Sequence, residues 1–132
     1  MEYYSTRDNK LRESFTDVLF QGLSKDGGLF LPCTFPNIDI SKIRNQSYEE
    51  IAFTIIKPFI GDEIINKDLH EIINLTYKNF DHAEIAPLLK IDQNKYILEL
   101  FYGPTLAFKD YALQLLANIF SYFMKINNRK IT

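Results

Sequence analysis

Tryptophan is absent from this 132-residue chain, which has only one cysteine, two histidines, five glycines and five prolines. A lone thiol, Cys33, cannot close an internal disulfide, so no covalent framework is expected and a reducing compartment suits it. Cys33 lies in the turn-like LPCTFP with no basic neighbour to lower its pKa, which argues against a nucleophile. His70 and His82 lack metal-ligand spacing with Cys33 or with each other, so His70 reads as a helix-surface residue, His82 as a loop residue, and no metal is expected. No run approaches the roughly 18 apolar residues of a spanning helix, and the opening MEYYSTRDNK lacks the apolar core of a secretion signal. A cytoplasmic location without membrane association is the expectation. Without a secretion signal, the sequons at Asn45 and Asn74 carry little weight. Lysines and arginines are scattered and the net charge is −2, which leaves no nucleic-acid footprint.

What the chain does have is the make-up of a globular protein, 46% hydrophobic and 24% charged, with 11 Phe and 8 Tyr. Its length suits one ordinary domain of about 100 to 200 residues. So many aromatics raise the expectation that some apolar surface stays uncovered.

Paired tyrosines suggest a short strand at residues 2 to 5, broken by TRDNK. Ser14 with Asp17 three residues on resembles a capping box, and Phe15, Val18, Leu19 and Leu23 recur at helical spacing. KDGG stops that helix because Asp26, Gly27 and Gly28 supply turn conformations, and LFLP reads as a short strand. Residues 32 to 46 read as a connection with one helical turn near Ile40 to Ile43. Ser47 and Glu50 make a second capping box for a helix lined by Ala52, Ile55, Ile56 and Phe59 up to Gly61. Asn66 is the expected cap of a third helix, with Leu69, Ile72, Ile73, Thr76, Tyr77 and Phe80 three and four apart.

From residue 86 the period changes. PLLKI and KYILELF are extended runs joined by DQN, which predicts a hairpin with Ile97 and Leu98 buried. Gly103-Pro104 ends the second run. A helix over about 109 to 126 is expected to place Leu113, Leu116, Ala117, Phe120, Phe123 and Met124 on one side, and NNRK ends it. Ile131 and Thr132 read as the opening of a return strand, so the pattern is a βαβ crossover cut short. The fold class is therefore α/β and truncated, with no internal repeat.

Lys109 stands at the predicted start of that last helix, between Phe108 and Asp110. Unpaired N–H groups at a helix start carry partial positive charge, which disfavours an ammonium and favours the neutral amine, while Asp110 gains from the same dipole. A neutral amine attacks carbonyls, so Lys109 sits where a Schiff-base lysine could be prepared from a reference pKa of about 10.4. The bland alternative is a solvated lysine in the first turn of an amphipathic helix. A phosphate-binding P-loop is excluded: the glycine and the Ser or Thr that flank its lysine are replaced here by Phe108 and Asp110.

The segment LELFYGPTLAFKD, residues 98 to 110, resembles the pyridoxal-phosphate attachment segment of the threonine synthase family, whose usual form reads LELFHGPTLAFKD. SFTDVLFQGLSKDGGLFLP at 14 to 32, FIGDEI at 59 to 64 and ALQLLANIFSYF at 112 to 123 are similar to family segments in the same order. The resemblance covers the whole chain but only the N-terminal part of the family's architecture. It implies that Lys109 forms the Schiff base with pyridoxal 5'-phosphate and serves as the catalytic residue. It also implies that Gly103 and Pro104 shape the turn while Leu106 and Phe108 pack around it. Tyr102 departs from the family's usual histidine, which puts any role of that imidazole in doubt.

The resemblance implies conversion of O-phospho-L-homoserine and water to L-threonine and phosphate, with the cofactor carrying most of the chemistry. Residues 1 to 85 are then a small N-terminal mixed domain, and residues 86 to 132 the truncated beginning of the cofactor-binding α/β domain of a fold type II pyridoxal-phosphate enzyme. The loops for the substrate carboxylate and the cofactor phosphate would follow residue 132, so the chain alone is expected to be inactive. Dehydratases and sulfhydrylases of the same fold type are rivals, but they usually place serine where Ala107 stands and lack GLSKDGGLFLP. A rival of another class is a non-enzymatic remnant or an assembly module of a split enzyme, with self-association through uncovered apolar faces.

Overall fold

The protein is described by a computed structural model covering residues 1–127. Strand β1 (Glu2–Ser5) is the middle of a three-stranded antiparallel sheet, paired with β2 (Glu13–Ser14) on one edge and β3 (Phe30–Pro32) on the other. Tyr3 faces Glu13 across one pair and Pro32 across the other. Its ring is buried, and its hydroxyl donates to the Phe59 carbonyl at 2.7 Å, tying the sheet to the helices.

Helix α1 (Phe15–Gln21) begins at Ser14, whose Oγ accepts the Asp17 N–H. It ends at Gly22, earlier than the stop expected at KDGG, and Leu23 lies beyond it, exposed; Gly22 turns the chain with φ 69° and ψ −53°, a conformation open to glycine. The following turn is held by Asp26, which accepts the Gly28 N–H and the hydroxyl of the fully buried Ser5, both at 2.8 Å. One helical turn, α2 (Ile40–Ile43), interrupts the connection as expected. Helix α3 (Tyr48–Ile60) carries the complete Ser47–Glu50 capping box and tolerates Pro58 in its last turn, and a 3-10 turn at Gly61–Glu63 leads on.

Helix α4 (Asn66–Tyr77) starts differently from expectation: Ile65 is the cap residue, and Asn66 lies inside the helix. The first intrahelical bond runs from the Leu69 N–H to the Ile65 carbonyl, and no side chain caps this end. The predicted apolar face of α4 is buried throughout, from Leu69 to Tyr77 and on to Phe80. With Ile60, Ile64 and Ile85 it forms the core, onto which α5 (Asp110–Ile126) packs Leu115, Ile119 and Phe123.

Burial departs from expectation in the hairpin and along α5. Strands β4 (Leu88–Asp92) and β5 (Lys95–Leu98) form the predicted antiparallel hairpin, but Ile97 and Leu98 are 47% and 53% exposed. A two-stranded ribbon buries side chains only where another layer covers it, and every residue of both strands is exposed. On α5 Phe123 of the expected stripe is buried, but it is joined by Leu115 and Ile119, while Leu113 and Leu116 are exposed. That helix has apolar residues on nearly every side, so its period permits two stripes, and packing against α4 selects between them. The described residues form a mixed α/β unit; the return strand expected at Ile131 and Thr132 lies outside them. No helix among them is long and apolar enough to cross a membrane, and no cluster of three or more His, Cys, Asp or Glu could hold a metal.

Candidate functional site

The chain from Gly103 to Lys109 makes two tight turns before α5. The Leu106 N–H bonds the Gly103 carbonyl at 3.0 Å, and the Asp110 N–H bonds the Ala107 carbonyl at 3.0 Å. Between them Leu106 has φ of 59°, a left-handed conformation that is unfavourable for a residue with a β-carbon. Inside the turn sits the carboxylate of Asp110, a residue only 3% exposed. Its Oδ2 accepts the Thr105 N–H at 2.7 Å and its Oδ1 the Thr105 hydroxyl at 2.8 Å, with Gln114 Nε2 at 3.5 Å. Burial works against the charged carboxylate, but these bonds outweigh it and hold the Asp110 pKa below its usual value.

Gly103 is a steric requirement of this arrangement. A β-carbon there would lie 2.4 Å from Asp110 Cβ and 2.5 Å from its Oδ2. Leu106 and Phe108, expected to pack around the turn, are instead 73% and 66% exposed. The turn closes instead around the Asp110 carboxylate, which bonds Thr105.

Lys109 caps α5 with helical backbone angles, φ −64° and ψ −22°, and its carbonyl accepts the N–H groups of Ala112 and Leu113. The side chain is exposed, and the amine has no hydrogen-bond or ion-pair partner among the described residues. An uncommitted amine at an open helix start can reach and condense with a carbonyl compound. Tyr111, two residues on, anchors the helix start from below. Its carbonyl accepts the Tyr77 hydroxyl at 2.9 Å, and its own hydroxyl donates to the Ile85 carbonyl at 2.6 Å.

Tyr102 bonds outward. Its hydroxyl donates to Glu99 Oε2 at 2.8 Å, and that bond, with burial, raises the phenol's pKa. Its carbonyl accepts the Asp81 N–H at 2.8 Å, and its ring lies 4.7 Å from that of His82. His82, read from sequence as a loop residue, thus brings an imidazole beside the position where one was missed. His70 is exposed on α4 and stacks on Phe53 with ring centroids 3.7 Å apart. Sequence reasoning missed the Thr105–Asp110 link, whose only signal is a hydroxyl residue placed five before an acid at a helix start.

The family model described as "Threonine synthase N terminus" matches residues 2–77. The chain belongs to the threonine synthase family. Curated threonine synthases from Pseudomonas aeruginosa and Saccharomyces cerevisiae are 39% and 40% identical to it, over 99% and 98% of this chain. The chain spans only 29% and 27% of their lengths and corresponds to the N-terminal portion of a threonine synthase. Among solved structures, the PLP-bound threonine synthase from Brucella melitensis superposes with a TM-score of 0.95 at 41% identity, covering 98% of this chain and 29% of that one. The yeast threonine synthase gives 0.89 at 38% identity, with 99% and 28% covered.

Proposed function

We propose that this chain is the N-terminal part of an enzyme that converts O-phospho-L-homoserine and water to L-threonine and phosphate, with Lys109 binding pyridoxal phosphate. The observation that carries this reading is the exposed, uncommitted amine of Lys109 at the start of α5. It stands in a chain similar throughout to a threonine synthase whose structure is PLP-bound. Residues from 86 onward are then the start of a fold type II cofactor domain, with α5 forming its contact with the N-terminal domain. A reducing cytoplasmic setting suits the lone Cys33.

Bound there, pyridoxal phosphate would act as the electron sink that acidifies the substrate Cα–H. Lys109 Nζ would hold the cofactor, and as a free amine it would be the base that takes the substrate Cα proton and returns it. The hydrogen-bonded turn from Gly103 to Asp110 would hold the backbone of Lys109 in place for that role. No glycine-rich loop able to cradle a phosphate occurs among the described residues, so the chain alone is expected to give no turnover.

The test is addition of pyridoxal phosphate, borohydride reduction and peptide mapping. Label concentrated on Lys109 is the expected result, and label on other lysines with none on Lys109 overturns the assignment. Phosphate released from O-phospho-L-homoserine by the isolated chain, above a Lys109→Ala control, would contradict the lack of turnover.

A second reading, an assembly module that pairs with another polypeptide, is favoured by the exposed hairpin and by an apolar cleft of about 390 Å³ lined by Phe15, Val18, Leu19, Leu116 and Phe120. Sedimentation tests self-pairing of those faces, and a monomer at tens of micromolar speaks against it.

A further inference from the structure

We propose that Asp110 is a positioning residue for Lys109: its buried carboxylate, bonded to the N–H and hydroxyl of Thr105, clamps the turn from Gly103 to Lys109 in one conformation. This rests on the role assigned to Lys109 above.

The first support is the direction of the bonds. Asp110 opens α5, where a carboxylate that served the helix would accept N–H groups from the first turn. Its two short bonds go the other way, to Thr105, outside the helix. The carboxylate therefore closes the turn that delivers Lys109 and leaves the helix start uncapped.

The second support is strain. Leu106 is held at φ of 59° in the middle of this turn, although its side chain is exposed and gains no packing there. A residue in that region keeps its conformation only when its surroundings over-determine it. The Thr105–Asp110 bonds and the close approach of Gly103 to Asp110 both tie the segment before Leu106 to the residue that opens α5, and together they supply that constraint. The third support is cost: Asp110 is a carboxylate with almost no exposure and no ion-pair partner among the described residues. Burying such a group without a counter-charge is unfavourable, which marks the bonds to Thr105 as the reason for its place. Lys109 adjoins this anchor in the chain, so freedom in the turn becomes freedom in where its amine stands.

The test uses the full 132-residue chain and the variants Asp110→Asn, Thr105→Val and Thr105→Ser. Pyridoxal phosphate is added, borohydride fixes the links as secondary amines, and mapping gives the Lys109 label relative to the chain's other lysines. Amide exchange at Leu106 is read in parallel. Asp110→Asn, which puts an amide where a double acceptor stood, is expected to lower the Lys109 share about tenfold and to speed Leu106 exchange by a similar factor. Thr105→Val keeps the carboxylate and loses one bond, so it should give a several-fold loss, while Thr105→Ser restores wild-type values. Unchanged exchange at Leu115 and Ile119 certifies that α5 is folded. Wild-type labelling and exchange in both Asp110→Asn and Thr105→Val would overturn the clamp while leaving the Lys109 assignment intact. Absence of preferred Lys109 label in the unmodified chain overturns that assignment, and the clamp's purpose with it.

Discussion

Glu63 caps a helix 48 residues away in sequence: its Oε1 accepts the N–H of Phe15 at 2.8 Å and its Oε2 that of Thr16 at the same distance. Together with Ser14 Oγ on the Asp17 N–H, this satisfies the first three donors of α1. The 3-10 turn that carries Glu63 joins α3 to α4, so one carboxylate links the small sheet's helix to the main core. Glu63→Ala leaves two N–H groups without their acceptors and should cost about 2 kcal/mol. Glu63→Gln keeps one accepting oxygen and should cost roughly half as much. Urea denaturation reads both, and equal stability of Glu63→Ala and the unmodified chain would show that water replaces the carboxylate.

Glycine at 22 and glycine at 103 are required for different physical reasons, and alanine should separate them. Gly22 has φ of 69° and ψ of −53°, and a β-carbon added there would meet nothing within 4 Å, so Gly22→Ala meets only backbone strain, of about 2 kcal/mol. Gly103→Ala drives a methyl group to 2.4 Å from Asp110 Cβ and should cost about 3 kcal/mol as the turn is forced open. Thermal melting of the two variants tests the order, and borohydride labelling of Lys109 should weaken for Gly103→Ala alone.

Truncations along α5 should divide by stripe. Ile119 lies in the core between Leu115 and Phe123, so Ile119→Ala should cost about 2 to 5 kcal/mol. Leu113 lies on the exposed stripe, and Leu113→Ala should stay within about 0.5 kcal/mol. The same pair of denaturation curves tests whether this chain pairs its exposed surface in solution, because a loss at Leu113 that grows with protein concentration would reveal a covered face.

Elements with a local signal were legible in the residues. Ser47 and Glu50 announce α3, and the spacing from Leu69 to Phe80 names the buried face of α4, whereas the stop read at Gly27-Gly28 falls beyond the actual end of α1 at Gly22. Where the outcome depends on a distant neighbour, local pattern falls silent. Period alone does not choose between the two apolar stripes of α5, and alternation in the hairpin does not say whether a layer covers Ile97. Glu63 on Phe15 and Asp110 on Thr105 are likewise tertiary bonds, invisible to spacing. Lys109 itself was legible as an amine at a helix start, but the carboxylate that steadies its turn was read only as a group gaining from the helix dipole.

Acid should expose the role of Asp26. Bonds from the Gly28 N–H and the Ser5 hydroxyl, aided by the charge of Arg7, hold its pKa below the ordinary value of 3.8. A carboxyl depressed in the folded state binds its proton more weakly there than in the unfolded chain, so it stabilises the fold above 3.8. That contribution fades as pH falls from 3.8 through the lower folded-state value. Asp26→Asn removes the titration, and its melting temperature should therefore lie below that of the unmodified chain at pH 6 and approach it at pH 2.5 to 3. Ser5 is fully buried and a β-carbon at residue 28 would stand 2.1 Å from its Oγ, so the local geometry has no slack to replace the lost acceptor. A constant gap in melting temperature from pH 6 to pH 3 would mean that Asp26 acts by shape and not by charge.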